Sequence, residues 1–259
     1  MLPDTIPFMP VEHRIAMWSG PRNISTAMMR AWGSRGDTVV CDEPLYAHYL
    51  KLTGRDHPGA EEIVAQCETD WRKVIGQLTG AIPDGKAIYY QKHMAHHLLP
   101  GMDRDWALKL SNCFLIREPS AMLASLVKVI PFPGVEETGL PQQIELFDMI
   151  VAATGSEPPV IFARDVLENP AGMLAALCEQ LGVPFSDAML RWEPGPRATD
   201  GIWGKHWYAN VEKSTGFEPY AEKDISPPSH LRSVLEKCER LFERLFAKRL
   251  APSTTKLPK

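Results

Sequence analysis

At 259 residues, 44% hydrophobic and 23% charged, the chain has an ordinary globular composition and length enough for one large α/β domain or two small ones. A net charge of −4 argues against a general nucleic-acid or membrane-surface binder, so an anion site must be a local cluster of Lys and Arg. Five scattered cysteines (Cys41, Cys67, Cys113, Cys178 and Cys238) form no C-x-x-C pair, the N-terminus lacks a signal-peptide pattern, and no run is long enough to span a bilayer; a soluble cytoplasmic protein with reduced thiols is expected.

After a Pro-rich arm, residues 14–18 read as a first strand that breaks at Gly20-Pro21, and residues 26–32 as a first helix opened by Ser25 and Thr26. Residues 38–42 form a second buried strand, and Glu43-Pro44 opens a short helix carrying Tyr46, His48 and Tyr49. A helical stretch over 60–78, interrupted near Thr69-Asp70, leads through Pro83-Asp84-Gly85 to a third strand over 87–91, which leaves His93 just beyond its end. A fourth strand over 112–116 delivers Arg117, and Pro119 suits the first turn of the helix that follows. Helix 142–153, strand 160–163 and helix 170–181 complete an alternating β/α series, which argues for a parallel sheet covered by helices. Residues 192–217 are rich in Gly, Trp and charge without periodicity and read as a functional loop; 226–250 hold an amphipathic helix that packs on the core. With no repeat or linker, residues 1–259 are taken as a single domain with its α/β core over 14–185.

In open α/β sheets ligands bind at the carboxyl ends of the strands, and those ends carry Gly20 to Thr26, Asp42-Glu43, Lys92-His93 and Arg117. The first of these reads as an anion cradle. A helix start presents free N–H groups and a positive dipole end, the hydroxyls of Ser25 and Thr26 add donors, and Arg22 adds charge; an ordinary strand-turn-helix with a capping serine is the plain alternative. It is not a nucleoside-triphosphatase P-loop, because Asn23-Ile24-Ser25-Thr26 stands where G-K-[ST] would be and no strand ends in an acid suited to hold magnesium. No metal site is expected either, since no acidic residue or cysteine at ligand spacing joins His93, His96 and His97.

Four stretches resemble the sulfotransferase family, whose donor is 3′-phosphoadenosine 5′-phosphosulfate (PAPS). Pro21-Arg22-Asn23-Ile24-Ser25-Thr26 is similar to its P-K-S-G-T-T loop for the 5′-phosphosulfate, with Arg for Lys and Ile for Gly. Gln91-Lys92-His93-Met94-Ala95-His96-His97-Leu98-Leu99-Pro100 is similar to K-T-H-L-P-x-x-L-L-P, which puts His93 on the family's catalytic base and Lys92 one place after its usual lysine. Arg117 and Ser125 match the pair that holds the 3′-phosphate. Residues 163–170 and 181–185 look like the Y-E-D-L-x-x-D-P and F-L-G-x-P signature. Beyond these four, Arg197 to Trp203 resembles a distant form of R-K-G-x-x-G-D-W, which would bring Arg197 to the 3′-phosphate.

The resemblance implies a P-loop nucleoside-triphosphatase-like sulfotransferase fold and transfer of a sulfuryl group from PAPS to a hydroxyl or amine of a small molecule, with adenosine 3′,5′-bisphosphate (PAP) as product. Such transfer needs a base for the acceptor's proton and cations for the charge on the departing phosphate. His93 and Glu43 are the candidate bases, and Arg22 and Lys92 the candidate cations; for each, a packing or surface role is the alternative. A small-molecule kinase-like phosphotransferase and a non-catalytic nucleotide-binding protein are the rival readings. The acceptor pocket is expected from the loops over 45–59 and 131–139, and the oligomeric state is not legible.

Overall fold

Short β-branched and aromatic runs supply a five-stranded parallel sheet in the order β2-β3-β1-β4-β5. The computed structural model describes residues 11–222 and 226–253; the Pro-rich arm and the tail beyond Ser253 lie outside them. The central strand β1 (His13–Ser19) is followed by α1 (Ser25–Gly33), β2 (Thr38–Asp42) and α2 (Tyr46–Thr53). The predicted break in the next helical stretch separates α3 (Ala60–Gln66) from α4 (Trp71–Thr79), where the Asp70 side chain caps the new helix by accepting from the Arg72 N–H at 2.9 Å. Strand β3 (Ile88–Met94) extends past its predicted end, so His93 lies inside the strand and not beyond it.

Strand β4 (Ser111–Ile116) runs into α5 (Pro119–Leu126), with Pro119 in the first turn, where its missing N–H costs nothing. Then come α6 (Leu140–Thr154), β5 (Val160–Phe162), an unpredicted short α7 (Ala163–Glu168), and α8 (Pro170–Gln180), capped by Asn169. The segment over 192–217 is mostly irregular and contains α9 (Gly204–Trp207); α10 (Arg232–Phe246) closes the fold.

Side chains alternate across each strand, so the sheet has two cores. Ile15, Met17, Tyr90, Cys113 and Leu115 face one layer with α1, α2 and α8; we call this the front. Ala16, Trp18, Tyr89, Phe114 and Ile116 face the back, against α4, α6 and α10. From β1 the chain first moves to β2 on one side and later to β4 and β5 on the other, so β1 and β4 flank a topological switch point, where a parallel sheet leaves a crevice at its carboxyl edge.

Candidate functional site

That crevice is continuous with a cavity of about 450 Å³, lined on one side by residues 21–27, Arg117 and Ser125 and on the other by Glu43, Lys92 and aromatic groups of α2 and α9. The turn after β1 passes through Arg22 at φ +56°, a left-handed conformation unusual for a side-chain-bearing residue. This turn aims the Arg22 carbonyl at the Arg117 guanidinium, which donates to it, while Arg22 Nε donates to Ser125 Oγ at 2.9 Å. Arg22 after β1, Arg117 after β4 and Ser125 of α5 thereby meet across the switch point. Asn23 locks the turn: its amide donates to the Leu115 carbonyl at 3.1 Å and its oxygen accepts from the Ile24 N–H at 2.9 Å.

Helix α1 begins at the cavity wall with neither a side-chain cap nor an acidic residue in its first turn to meet its N-terminal N–H groups and dipole. Glu118, the nearest acid in sequence to Arg117, is taken by Arg164 at 2.7 Å. Burial lowers the Arg117 pKa somewhat, with Glu118 opposing, but a guanidinium stays charged at neutral pH. Gly20 does not line the cavity. A Cβ there would sit 2.3 Å from the Thr138 carbonyl oxygen, so this glycine allows the 138–139 turn to approach the loop.

Opposite the cradle lies a buried charge cluster. Lys92, 1% exposed, donates to Asp42 Oδ1 at 2.8 Å, to Glu43 Oε1 at 2.6 Å and to the Tyr208 hydroxyl at 2.7 Å. Asp42 also accepts from Tyr208 at 2.7 Å and from the Gly201 N–H at 2.9 Å. Burial disfavours the Lys92 ammonium, yet Asp42 and Glu43 outweigh it and hold its pKa well above the lysine range. Two carboxylates share this one ammonium. For Glu43, burial raises the pKa, Lys92 pulls it down and Asp42 pushes it up again, with a net rise. Its backbone sits at φ +38°, pinned by its N–H to the Lys92 carbonyl at 2.9 Å and by its own carbonyl to the Tyr46 N–H at 3.0 Å.

Between these poles the wall is aromatic. Tyr46 stacks on His97 at 4.9 Å and bonds His57 Nδ1 through its hydroxyl at 2.9 Å, while Tyr49 meets His97 at 4.8 Å. Burial keeps these imidazoles neutral, pushing His96 down to about 3 and His97 well below its ordinary value. Glu137, from the 131–139 loop, closes the rim through an ion pair with Arg55.

Of the residues singled out in the sequence, positions 21–26, Arg117, Ser125, Glu43 and Lys92 come together at this cavity; His93, Arg197 and Gly20 do not. His93 projects from the back of β3, stacked on Trp18 at 4.2 Å, with Nε2 3.2 Å from Gln91 Oε1 and its pKa pushed down by burial to about 3. Arg197 donates to the Glu193 carbonyl at 2.8 Å, at the surface. Lys92 is committed to carboxylates on the wall opposite the cradle. Sequence reasoning missed Tyr208 as a member of the cluster, and for Asp42 it saw only a strand-end acid. Lone residues in an aperiodic loop carry no signal for such a contact.

A family model described as "Sulfotransferase domain" matches residues 13–235. Two Arabidopsis thaliana proteins, "Branched-chain-amino-acid aminotransferase-like protein 2" and "protein 1", are 34% and 35% identical over 232 residues, 89% of this chain. The chain spans about two fifths of their length, the matched part being 41% of each. Among solved structures, the "Sulfotransferase Domain from the Synechococcus PCC 7002 Olefin Synthase" superposes with a TM-score of 0.59 at 16% identity, covering 97% of this chain and 99% of that one, a likeness of fold. With the family model spanning the sheet, the loop after β1 and the segment that carries Tyr208, the chain belongs to the sulfotransferase family.

Proposed function

We propose that this sulfotransferase moves a sulfuryl group from PAPS to a hydroxyl or amine of a small molecule that is uncharged or cationic. The observation that carries this reading is the meeting of Arg22, Arg117 and Ser125 with the uncapped start of α1, opposite a carboxylate across one cavity. A donor with two separated phosphate groups fits that cradle, since two guanidinium groups and a helix N-terminus supply more positive charge than one phosphate requires. PAPS supplies the sulfuryl group and a phosphate leaving group. Arg22 and the α1 N–H groups hold the 5′ side, and Arg117 with Ser125 holds the 3′-phosphate.

Glu43 is the base in this reading. It lines the cavity, burial raises its pKa and makes it a stronger base, and it accepts the acceptor's proton as the new bond to sulfur forms and the bond to the phosphate oxygen breaks. His93 is set aside for this role because the sheet separates it from the cavity. The acceptor's charge follows from the far wall. Glu43 and Glu137 line it and Asp42 lies buried behind Lys92, so three acids outnumber their partners Lys92 and Arg55 and an anionic acceptor is repelled.

Isothermal titration with PAP, with ATP–Mg as control, tests the donor; release of PAP from PAPS across a panel of neutral, cationic and anionic alcohols and amines tests the reaction. Binding of PAP without response to ATP–Mg, and turnover confined to the neutral and cationic acceptors, is expected. Tight ATP–Mg binding with no response to PAP would overturn the reading.

A further inference from the structure

We propose that Asp42 and Tyr208 are positioning residues for the base: together they fix Lys92 on Glu43 Oε1 and leave the second carboxylate oxygen to receive the acceptor's proton. This rests on Glu43 being the base. A merely structural role for the cluster would need only one acid, because Lys92 and Asp42 already form a buried, neutral pair at 2.8 Å. The second carboxylate beside them adds a desolvation cost, and its φ of +38° adds backbone strain; folding alone requires neither.

The contacts of Asp42 show how the set is held. It receives Lys92 from β3, and both the Tyr208 hydroxyl and the Gly201 N–H from the 192–217 segment. Tyr208 in turn accepts from Trp203 Nε1 at 3.2 Å, and its ring lies 5.0 Å from the Lys92 ammonium. The same segment is tied to the cradle helix, since Asp200 receives Arg30 of α1 through two bonds of 2.5 and 2.7 Å. One stretch of irregular chain is thus bonded both to the helix of the donor cradle and to the support of the base.

The charged and titratable groups around Glu43 are Lys92 of β3, Asp42 of β2, Tyr208, Tyr46 of α2, His97 beyond β3 and, across the cavity, Arg22. Tyr208 and Asp42 act on the base with opposite sign. Removing the Tyr208 hydroxyl takes a donor from Asp42, which then draws more on Lys92 and leaves less of the ammonium for Glu43; removing the Asp42 charge takes away a repulsion that disfavours the Glu43 carboxylate.

The test is the pH profile of kcat/KM for a turned-over acceptor in Tyr208→Phe and Asp42→Asn, with PAP affinity measured alongside. The acid limb is expected to move to higher pH in the first variant and to lower pH in the second, by about one pH unit each, with PAP affinity unchanged. Asp42→Asn is close to isosteric, so its downward shift reads the inference alone if the Tyr208 variant does not fold. Limbs that stay put, or move together, overturn it. Glu43→Gln separates the two readings. If that variant keeps both turnover and the acid limb, the base assignment has failed and this inference with it; if it is inactive while the limbs of the other variants do not part, only the positioning role has failed.

Discussion

Lys92 and His93 are neighbours on one strand, both 1% exposed, and they have opposite chemical fates. Lys92 faces front, into a cluster of carboxylates at the cavity; His93 faces back, between Gln91 and the rings of Trp18 and Trp106. A strand changes face at every residue, so a one-place offset in a motif moves a catalytic side chain to the far side of the sheet. The front of β3 is therefore polar and paired at the carboxyl edge, and the back is packed for stability.

The largest effect expected from disturbing this contrast lies on the front. Glu43→Gln should lower kcat by about 10²–10⁴-fold while PAP still binds, because it removes a general base and little else. Activity within threefold of the parent would shift the chemistry away from this face. Next, Lys92→Met should cost about 3–5 kcal/mol in urea denaturation, because two buried carboxylates lose their one shared ammonium. A loss comparable to that of a surface lysine would mean the cluster is not the anchor described.

Arg117→Ala should weaken PAP binding by about 1.5–3 kcal/mol, the worth of a charge-assisted hydrogen bond, with turnover at saturating donor less affected. Unchanged affinity would remove Arg117 from the cradle.

The smallest effect belongs to the back face. His93→Phe should leave turnover in place and cost about 1 kcal/mol, through an altered stack on Trp18. It should also change the pH dependence of stability. The folded pKa of His93, about 3, lies below that of a free imidazole, so its contribution is complete above the unfolded value of about 6.5 and is lost as pH falls toward 3. The Phe variant should lose less stability between pH 7 and pH 5 than the parent. An equal loss would mean that His93 does not titrate on unfolding, and a collapse of turnover would return it to the candidate bases.

Much of this molecule was legible in the sequence. The alternation of apolar runs and helical periods gave the parallel sheet, and Gly20-Pro21 with Ser25 and Thr26 marked a strand breaking into a helix start. Arg117 and Ser125 were paired in the sequence through the family resemblance; in the structure each bonds to Arg22. The boundary of β3 was not legible. Residues Lys92, His93 and Met94 have no strong strand propensity, and what extends the strand is pairing with β1 on one side and with β2 up to Asp42 on the other.

By itself, then, the chain determined its elements, their parallel arrangement and the strand-turn-helix after β1, since these depend on periodicity and on contacts between residues close in sequence. Tertiary structure alone decided the polarity of the far wall. The bond from Tyr208 to Asp42 spans 166 positions and that from Lys92 to Asp42 spans 50, and pairings at such separations follow from how layers stack and not from any local pattern. It decided the fate of His93 as well, because the face a strand residue takes is set by the register of its neighbours.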